Sequence, residues 1–174
     1  MLALKRMRKA NIDVYLTVIV RDKNGKVVYR RRYKSRSFVE GFLNALSSDF
    51  SSSGFLTGPN LVVGSGTTPP KITDTGLTNQ IGNGTSSGQL QYGTNSFTTP
   101  IINTNTNTAS FTWSRTFNNG SGGNVTVSEV GAYMGVNVSS TITSYFILHD
   151  LLPSPITLAP NQVLTVVYTI TIST

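Results

Sequence analysis

Apolar residues recur at every second position along most of this chain, and at helical spacing in one place only. In residues 12–21, Ile12, Val14, Leu16, Val18 and Val20 share one face, with Asp13, Tyr15, Thr17, Ile19 and Arg21 on the other. That period predicts a half-buried strand. Asp22-Lys23-Asn24-Gly25-Lys26 follows, and Asn-Gly is the strongest short hairpin turn. A return strand is expected over residues 27–36. It places Val27, Tyr29 and Tyr33 on one face and Val28, Arg30, Arg32, Lys34 and Arg36 on the other. Ser37 and Glu40 then form a capping box ahead of Phe38, Val39, Phe42, Leu43 and Leu46, which predicts one short helix near residues 38–47.

Beyond residue 60 the pattern is strands and turns. Leu61-Val62-Val63 reads as a short strand running into Gly64-Ser65-Gly66-Thr67-Thr68-Pro69-Pro70. A glycine-rich turn after a strand invites a phosphate-loop reading, but no Gly-Lys-Ser/Thr follows, and the two prolines block the helix such a loop needs. Residues 72–110 are loop-rich, and contact with neighbouring subunits is the expected means of holding them. Four strands are expected in the last third. Phe111, Trp113, Arg115 and Phe117 share a face of the first, and Val125, Val127, Glu129, Gly131 and Tyr133 a face of the second. The third covers residues 145–148 and the last residues 163–172. Many strands with one helix predict a mainly-β fold, an antiparallel, jelly-roll-like β-sandwich. Residues 1–36 form a basic arm and hairpin and residues 37–174 the sandwich body, within one structural domain.

Charge changes this picture. Twelve of the 14 Lys and Arg residues lie in the first 36 positions, opposed only by Asp13 and Asp22, a net +10. The rest carries Lys71 and Arg115 against Glu40, Asp49, Asp74, Glu129 and Asp150, a net −3. Lys5, Arg6, Arg8 and Lys9 on the arm, with Arg30, Arg31, Arg32, Lys34 and Arg36 on the hairpin, are therefore the candidate anchoring residues. Their partner is the phosphate backbone of nucleic acid, bound without sequence preference, or a neighbouring subunit. Tyr29 and Tyr33 are the only aromatics interleaved with them, a weak basis for stacking bases.

Catalytic chemistry is sparse. The chain has no cysteine and one histidine, His149, whose neighbour Asp150 points to the opposite face of a strand. No metal-ligand spacing and no G-x-S-x-G elbow occurs, so neither an enzyme nor a cofactor is expected. His149 reads as a strand-end or interface residue. Arg115 and Glu129, each on an apolar face and nearly equidistant from the 118–124 turn, are expected to form a buried ion pair, the alternative being that Arg115 reaches the sheet edge by snorkelling. Trp113, alternating with Phe111 and Phe117, reads as core rather than as a sugar platform. Sequons stand at Asn83, Asn119, Asn124 and Asn137. No apolar run is long enough to span a membrane, and residues 1–20 lack the layout of a cleaved leader.

Three stretches resemble segments of small β-sandwich structural proteins of tailed phages and archaeal viruses. They are VGSGTTPPKITDTGL at 63–77, VTVSEVGAY at 125–133, and LLPSPITL at 151–158 leading to VLTVVYTI at 163–170. The resemblance implies a virion component: shell, decoration, spike or tail. Where such proteins often carry arginine, this chain has His149-Asp150. The expectation is thus a non-enzymatic virion protein that assembles with itself and with other virion proteins. The alternative is a subunit of an extracellular filament, in which residues 1–36 complete a neighbour's sheet.

Overall fold

The first alternation folds as β1 (Asn11–Arg21) and β2 (Val27–Ser35), joined at a turn where Gly25 takes a φ of +80°. Asp22 Oδ1 accepts the amides of Asn24 and Lys26 at 2.9 and 3.0 Å and closes that turn. The computed structural model describes residues 11–35, 38–45, 55–138 and 141–173, without the side chains of 55–59 and 138. The remaining strands are β3 (Phe55–Gly64), β4 (Gln91–Tyr92), β5 (Ser96–Phe97), β6 (Ile101–Asn103), β7 (Thr108–Asn118), β8 (Val125–Val138), β9 (Thr141–Leu158) and β10 (Val163–Ser173). Among the described residues, 40–45 form the single short helix, α1.

These elements make an antiparallel sandwich. The large sheet runs β2-β1-β10-β7, with β4, β5 and β6 in turn along the far edge of β7, and the small sheet runs β3-β8-β9. The last strand lies between the first and the seventh, so the order in space is not the order in sequence. Val14, Leu16, Val18 and Val20 of β1 meet Leu164, Val166 and Tyr168 of β10 and Trp113 and Phe117 of β7 on the inner face of the large sheet. Opposite them lie Leu61 and Val63, Val127, Val130 and Ala132, and Leu148 and Leu158 of the small sheet. Trp113 is 2% exposed and gives its indole N–H to Asn95 Oδ1 at 3.2 Å, which makes it core and removes it as a sugar platform.

Two departures from simple alternation matter. Register shifts in β8 between Val127 and Glu129, where Ser128 is the extra residue. A bulge reverses the phase of everything beyond it. Val130 and Ala132 therefore turn inward, and Glu129, Gly131 and Tyr133 turn outward. Opposite this bulge, residues 152–155 of β9 loop out between the pairs Leu151–Glu129 and Ile156–Val127. Pro153 and Pro155 are accommodated in that loop, since an edge strand does not need their missing amides. The expected strand at 145–148 and the segment at 156–158 are in fact one long strand.

The outer face of the small sheet is covered. Val39, Val62 and Phe146 are buried there with Leu77, Tyr92 and Tyr133 packed around them. Phe38 bridges Leu148, and the Val39 amide donates to Ile147 O at 3.2 Å, so the chain runs along the free edge of β9 into α1. Helix α1 fills the middle of the expected 38–47 span. Residues 46–47 and the capping Ser37 lie outside the described residues.

Candidate functional site: a buried carboxylate–imidazole clamp

The bulge that turns Glu129 outward places it beneath residues 64–79, which cross over the small sheet. Its carboxylate is fully buried. Oε1 accepts the amides of Gly66 at 3.0 Å and Asn79 at 2.8 Å, and Oε2 the amide of Thr78 at 3.1 Å. The glycine-rich turn does cradle an anion, and that anion is the protein's own Glu129. A Cβ at Gly66 would stand 2.5 Å from Oε1, and one at Gly64 would collide with the same oxygen. Only glycine lets the backbone approach this closely.

His149 of β9 sits beside Glu129, 1% exposed, with both ring nitrogens facing carboxylates. Nε2 lies 3.0 Å from Glu129 Oε2 and Nδ1 2.7 Å from Asp74 Oδ2. Each ring nitrogen thus lies within hydrogen-bond reach of a carboxylate oxygen. Asp74 also accepts the Lys71 amide at 2.8 Å. Partial burial works to raise the Asp74 carboxyl, but the Lys71 amide and His149 outweigh it and hold it below its ordinary value.

Asp150, one residue on, points inward and bridges the two sheets. Its Oδ2 accepts Ser35 Oγ of β2 at 2.7 Å and Tyr168 Oη of β10 at 2.8 Å. The two neighbours thus serve opposite faces of one strand. His149 fastens the covering loop, and Asp150 fastens the large sheet.

The expected Arg115–Glu129 pair does not form. β7 and β8 belong to different sheets, and the bulge carries Glu129 to the far side of its own. Arg115 instead lies over the Tyr92 ring at 4.8 Å, giving Nε–H to Gly93 O at 2.7 Å and Nη1–H to Leu61 O at 2.8 Å. It ties β7 to β3 and to the segment after β4. Arg115→Met leaves the buried Leu61 carbonyl without this donor, so we expect a loss of about 2 kcal/mol. Urea unfolding at an unchanged m-value measures it, and a loss within about 0.5 kcal/mol, as at an ordinary surface site, would refute this role.

Residues 72–110 are held from within. Asn95 Oδ1 accepts the Leu61 amide at 3.2 Å as well as the indole, and Tyr92 Oη donates to Ile81 O at 2.5 Å. Asn83 Oδ1 takes the Tyr92 amide at 2.9 Å. Among the sequons, Asn119 is buried and its Nδ2 donates to Gly123 O and Leu158 O, each at 2.8 Å, pinning the crossover from β7 to β8. That amide is engaged in the fold and inaccessible to a glycan transferase.

Of the basic candidates, Arg30, Arg32 and Lys34 line the outer face of β2, opposite Ile19, Thr17 and Tyr15 of β1. Arg31 alternates to the other side, where it lies 5.5 Å from the Tyr29 ring. Lys5, Arg6, Arg8, Lys9 and Arg36 lie outside the described residues. Among the described residues no group of three His, Cys, Asp or Glu side chains is arranged to hold a metal ion, and no helix is long and apolar enough to cross a membrane.

No family model, curated protein or solved structure matches this chain.

The clamp was only half legible in sequence. Gly64, Gly66, Asp74 and Glu129 all fall within the quoted stretches. The pairing with His149 could not be read, because it spans 20 residues to Glu129 and 75 to Asp74.

Proposed function

We propose that this chain is a non-enzymatic structural protein of a virion, assembling with copies of itself through its sandwich while its basic N-terminal segment anchors it in the particle. The main support is an apolar strip at one end of the large sheet. Ile12, Ile172, Ala109 and Ile102 stand in register across β1, β10, β7 and β6. The three isoleucines are 59%, 47% and 74% exposed. Ile101, 69% exposed, projects from the other face of β6. A contiguous apolar strip ending in a two-faced edge strand is a surface that soluble monomers avoid. A second copy is the occupant that fits. The groove beside the strip is lined by Asn103, Thr104, Asn107 and Thr108, so two such faces meet without charge repulsion. The chemistry fits a structural role as well, since the single histidine is buried and committed on both nitrogens.

The strand-exchange filament draws on the same exposed edge. Its donor would have to be residues 1–36, and withdrawing β1 would uncover Leu16 and Val18, both within the core. That cost favours assembly of intact sandwiches.

Light scattering and negative-stain microscopy test the proposal. Wild type is expected to form closed particles or rings, and Ile102→Asp/Ile172→Asp to stay monomeric with its circular dichroism unchanged. An open helical polymer favours the filament instead. A wild type that stays monomeric at high concentration, or a double variant that assembles normally, removes the strip as the interface.

A further inference from the structure

We infer that the outer face of the β1–β2 ribbon binds the phosphate backbone of duplex nucleic acid without reading bases. This deepens the anchoring role proposed above and rests on it.

Arg30, Arg32 and Lys34 project from alternate positions of β2, with Arg21 of β1 on the same face. Alternate residues on a strand stand about 6.7 Å apart, comparable with the spacing of successive phosphates along one nucleic-acid strand. β2 is the rim of the sheet, so an extended polyanion can lie along it. Lys34 is paired with Asp13 at 2.6 Å, whereas among the described residues no carboxylate pairs with Arg21, Arg30 or Arg32.

A neighbouring copy is the competing partner, and the structure removes most of what it could offer. The body's net negative charge looks like an acidic counter-surface in sequence, but its carboxylates are spent inside the fold. Glu129 is enclosed by amides and His149, Asp74 is bonded to His149, and Asp150 is buried against Tyr168 and Ser35. Asp22 caps its own turn. Among the described residues this leaves Glu40 as the exposed acid without such an engagement. A copy of this chain therefore presents no described acidic face to meet the ridge, whereas nucleic acid presents phosphates at regular intervals.

The aromatics decide against base stacking. Tyr29 and Tyr33 face inward and share a hydroxyl–hydroxyl bond of 3.0 Å. Tyr15, on the ridge side, is covered by the Arg32 guanidinium at 4.0 Å from its ring. With no open ring for an unstacked base, the face suits a duplex contacted through phosphates alone.

The test is fluorescence anisotropy of the full chain with two labelled duplexes of unrelated sequence, titrated with salt. Arg21→Gln/Arg30→Gln/Arg32→Gln changes three exposed side chains, and thermal unfolding checks that the fold is kept. Wild type is expected to bind both duplexes alike, with affinity falling steeply between about 50 and 200 mM salt. The triple variant is expected to show a log–log slope shallower by about 2.7, roughly 0.9 per lost phosphate contact. The inference is overturned by an unchanged slope in the variant, by no duplex binding at the lowest salt, or by preference for phosphatidylserine vesicles over duplex. Light scattering on the same samples separates the two readings. Assembly without duplex binding defeats this inference alone, and duplex binding without assembly defeats only the proposed self-assembly.

Discussion

Replacing Glu129 with alanine is expected to destabilise this protein by about 3–5 kcal/mol, because several buried polar groups lose their shared partner at once. The loss has three physical parts. His149, itself buried, keeps only Asp74. The amides of Gly66, Thr78 and Asn79 lose their acceptor together. A cavity also opens under the covering loop, where neither Gly64 nor Gly66 has a side chain to fill it. Glu129→Gln should cost less, because its carbonyl oxygen can still accept amides and its NH2 can donate to a neutral imidazole. Urea unfolding followed by circular dichroism gives the magnitude. Trypsin cleavage after Lys71, in the clamped loop, should accelerate in the alanine variant beyond any change at other sites. A loss under about 1 kcal/mol with unchanged cleavage would mean that the clamp does not hold the loop.

The clamp also explains a division of labour among carboxylates. The sheet-bridging Asp150 and the loop-fastening Glu129 and Asp74 lie on successive layers of the molecule, with β9 carrying both His149 and Asp150. Glu129, Asp74 and Asp150 are thereby drawn to the interior and the covering loop, while Arg21, Arg30, Arg32 and Lys34 line the outer face of the large sheet. The charge asymmetry along the sequence becomes an asymmetry across the sandwich. A chain built this way has one cationic side and an uncharged apolar end.

Local periodicity carried the fold where it was uninterrupted. The hairpin, its Asn24-Gly25 turn and strands β7 and β10 follow from alternation, because each buries one clean face against a single layer. It failed at Ser128. Strict alternation put Glu129 with Val125 and Val127, and one extra residue moved it to the opposite face. Nothing within residues 125–134 marks the bulge, since Val130 and Ala132 are as apolar as the residues they replace in phase. Pro153 and Pro155 lie in a looped-out edge segment and interrupt the pairing of β9 without ending the strand. The Arg115–Glu129 expectation inherited the error at Ser128 and a second one, that the 118–124 turn closes a hairpin. Asn119 shows the reason, because its side chain bonds to Leu158 O and steers the chain across to the other sheet. The basic ridge was legible because it depends on period alone. The burial of the acids that might have answered it depends on contacts tens of residues apart, and was not.

Those buried groups also set how stability responds to pH. Asp74 is held below its ordinary value, so its contribution is present above about pH 4, the unfolded value, and fades as pH falls through the depressed one. Tyr168 acts at the other extreme. Burial, then the charge and hydrogen bond of Asp150, raise its phenol well above the usual 10. The folded chain therefore keeps a proton that the unfolded chain releases. Stability from this group is complete below about pH 10 and falls above it by about 1.4 kcal/mol per pH unit for as long as the native phenol stays protonated. Tyr33, pushed up to about 12 by burial and by Tyr29, and Tyr92 and Tyr133, raised by burial, act in the same direction. The protein should thus unfold steeply in alkali. Tyr168→Phe is expected to cost about 1–2 kcal/mol at neutral pH, where Asp150 loses one donor and keeps Ser35. It should also flatten the alkaline fall by one proton's share, so that the variant overtakes wild type about 0.7 to 1.5 units above about pH 10. Urea midpoints of both proteins, measured from neutral pH to about 11.5, resolve that crossing. Parallel curves would show that the buried phenol does not carry the alkaline loss.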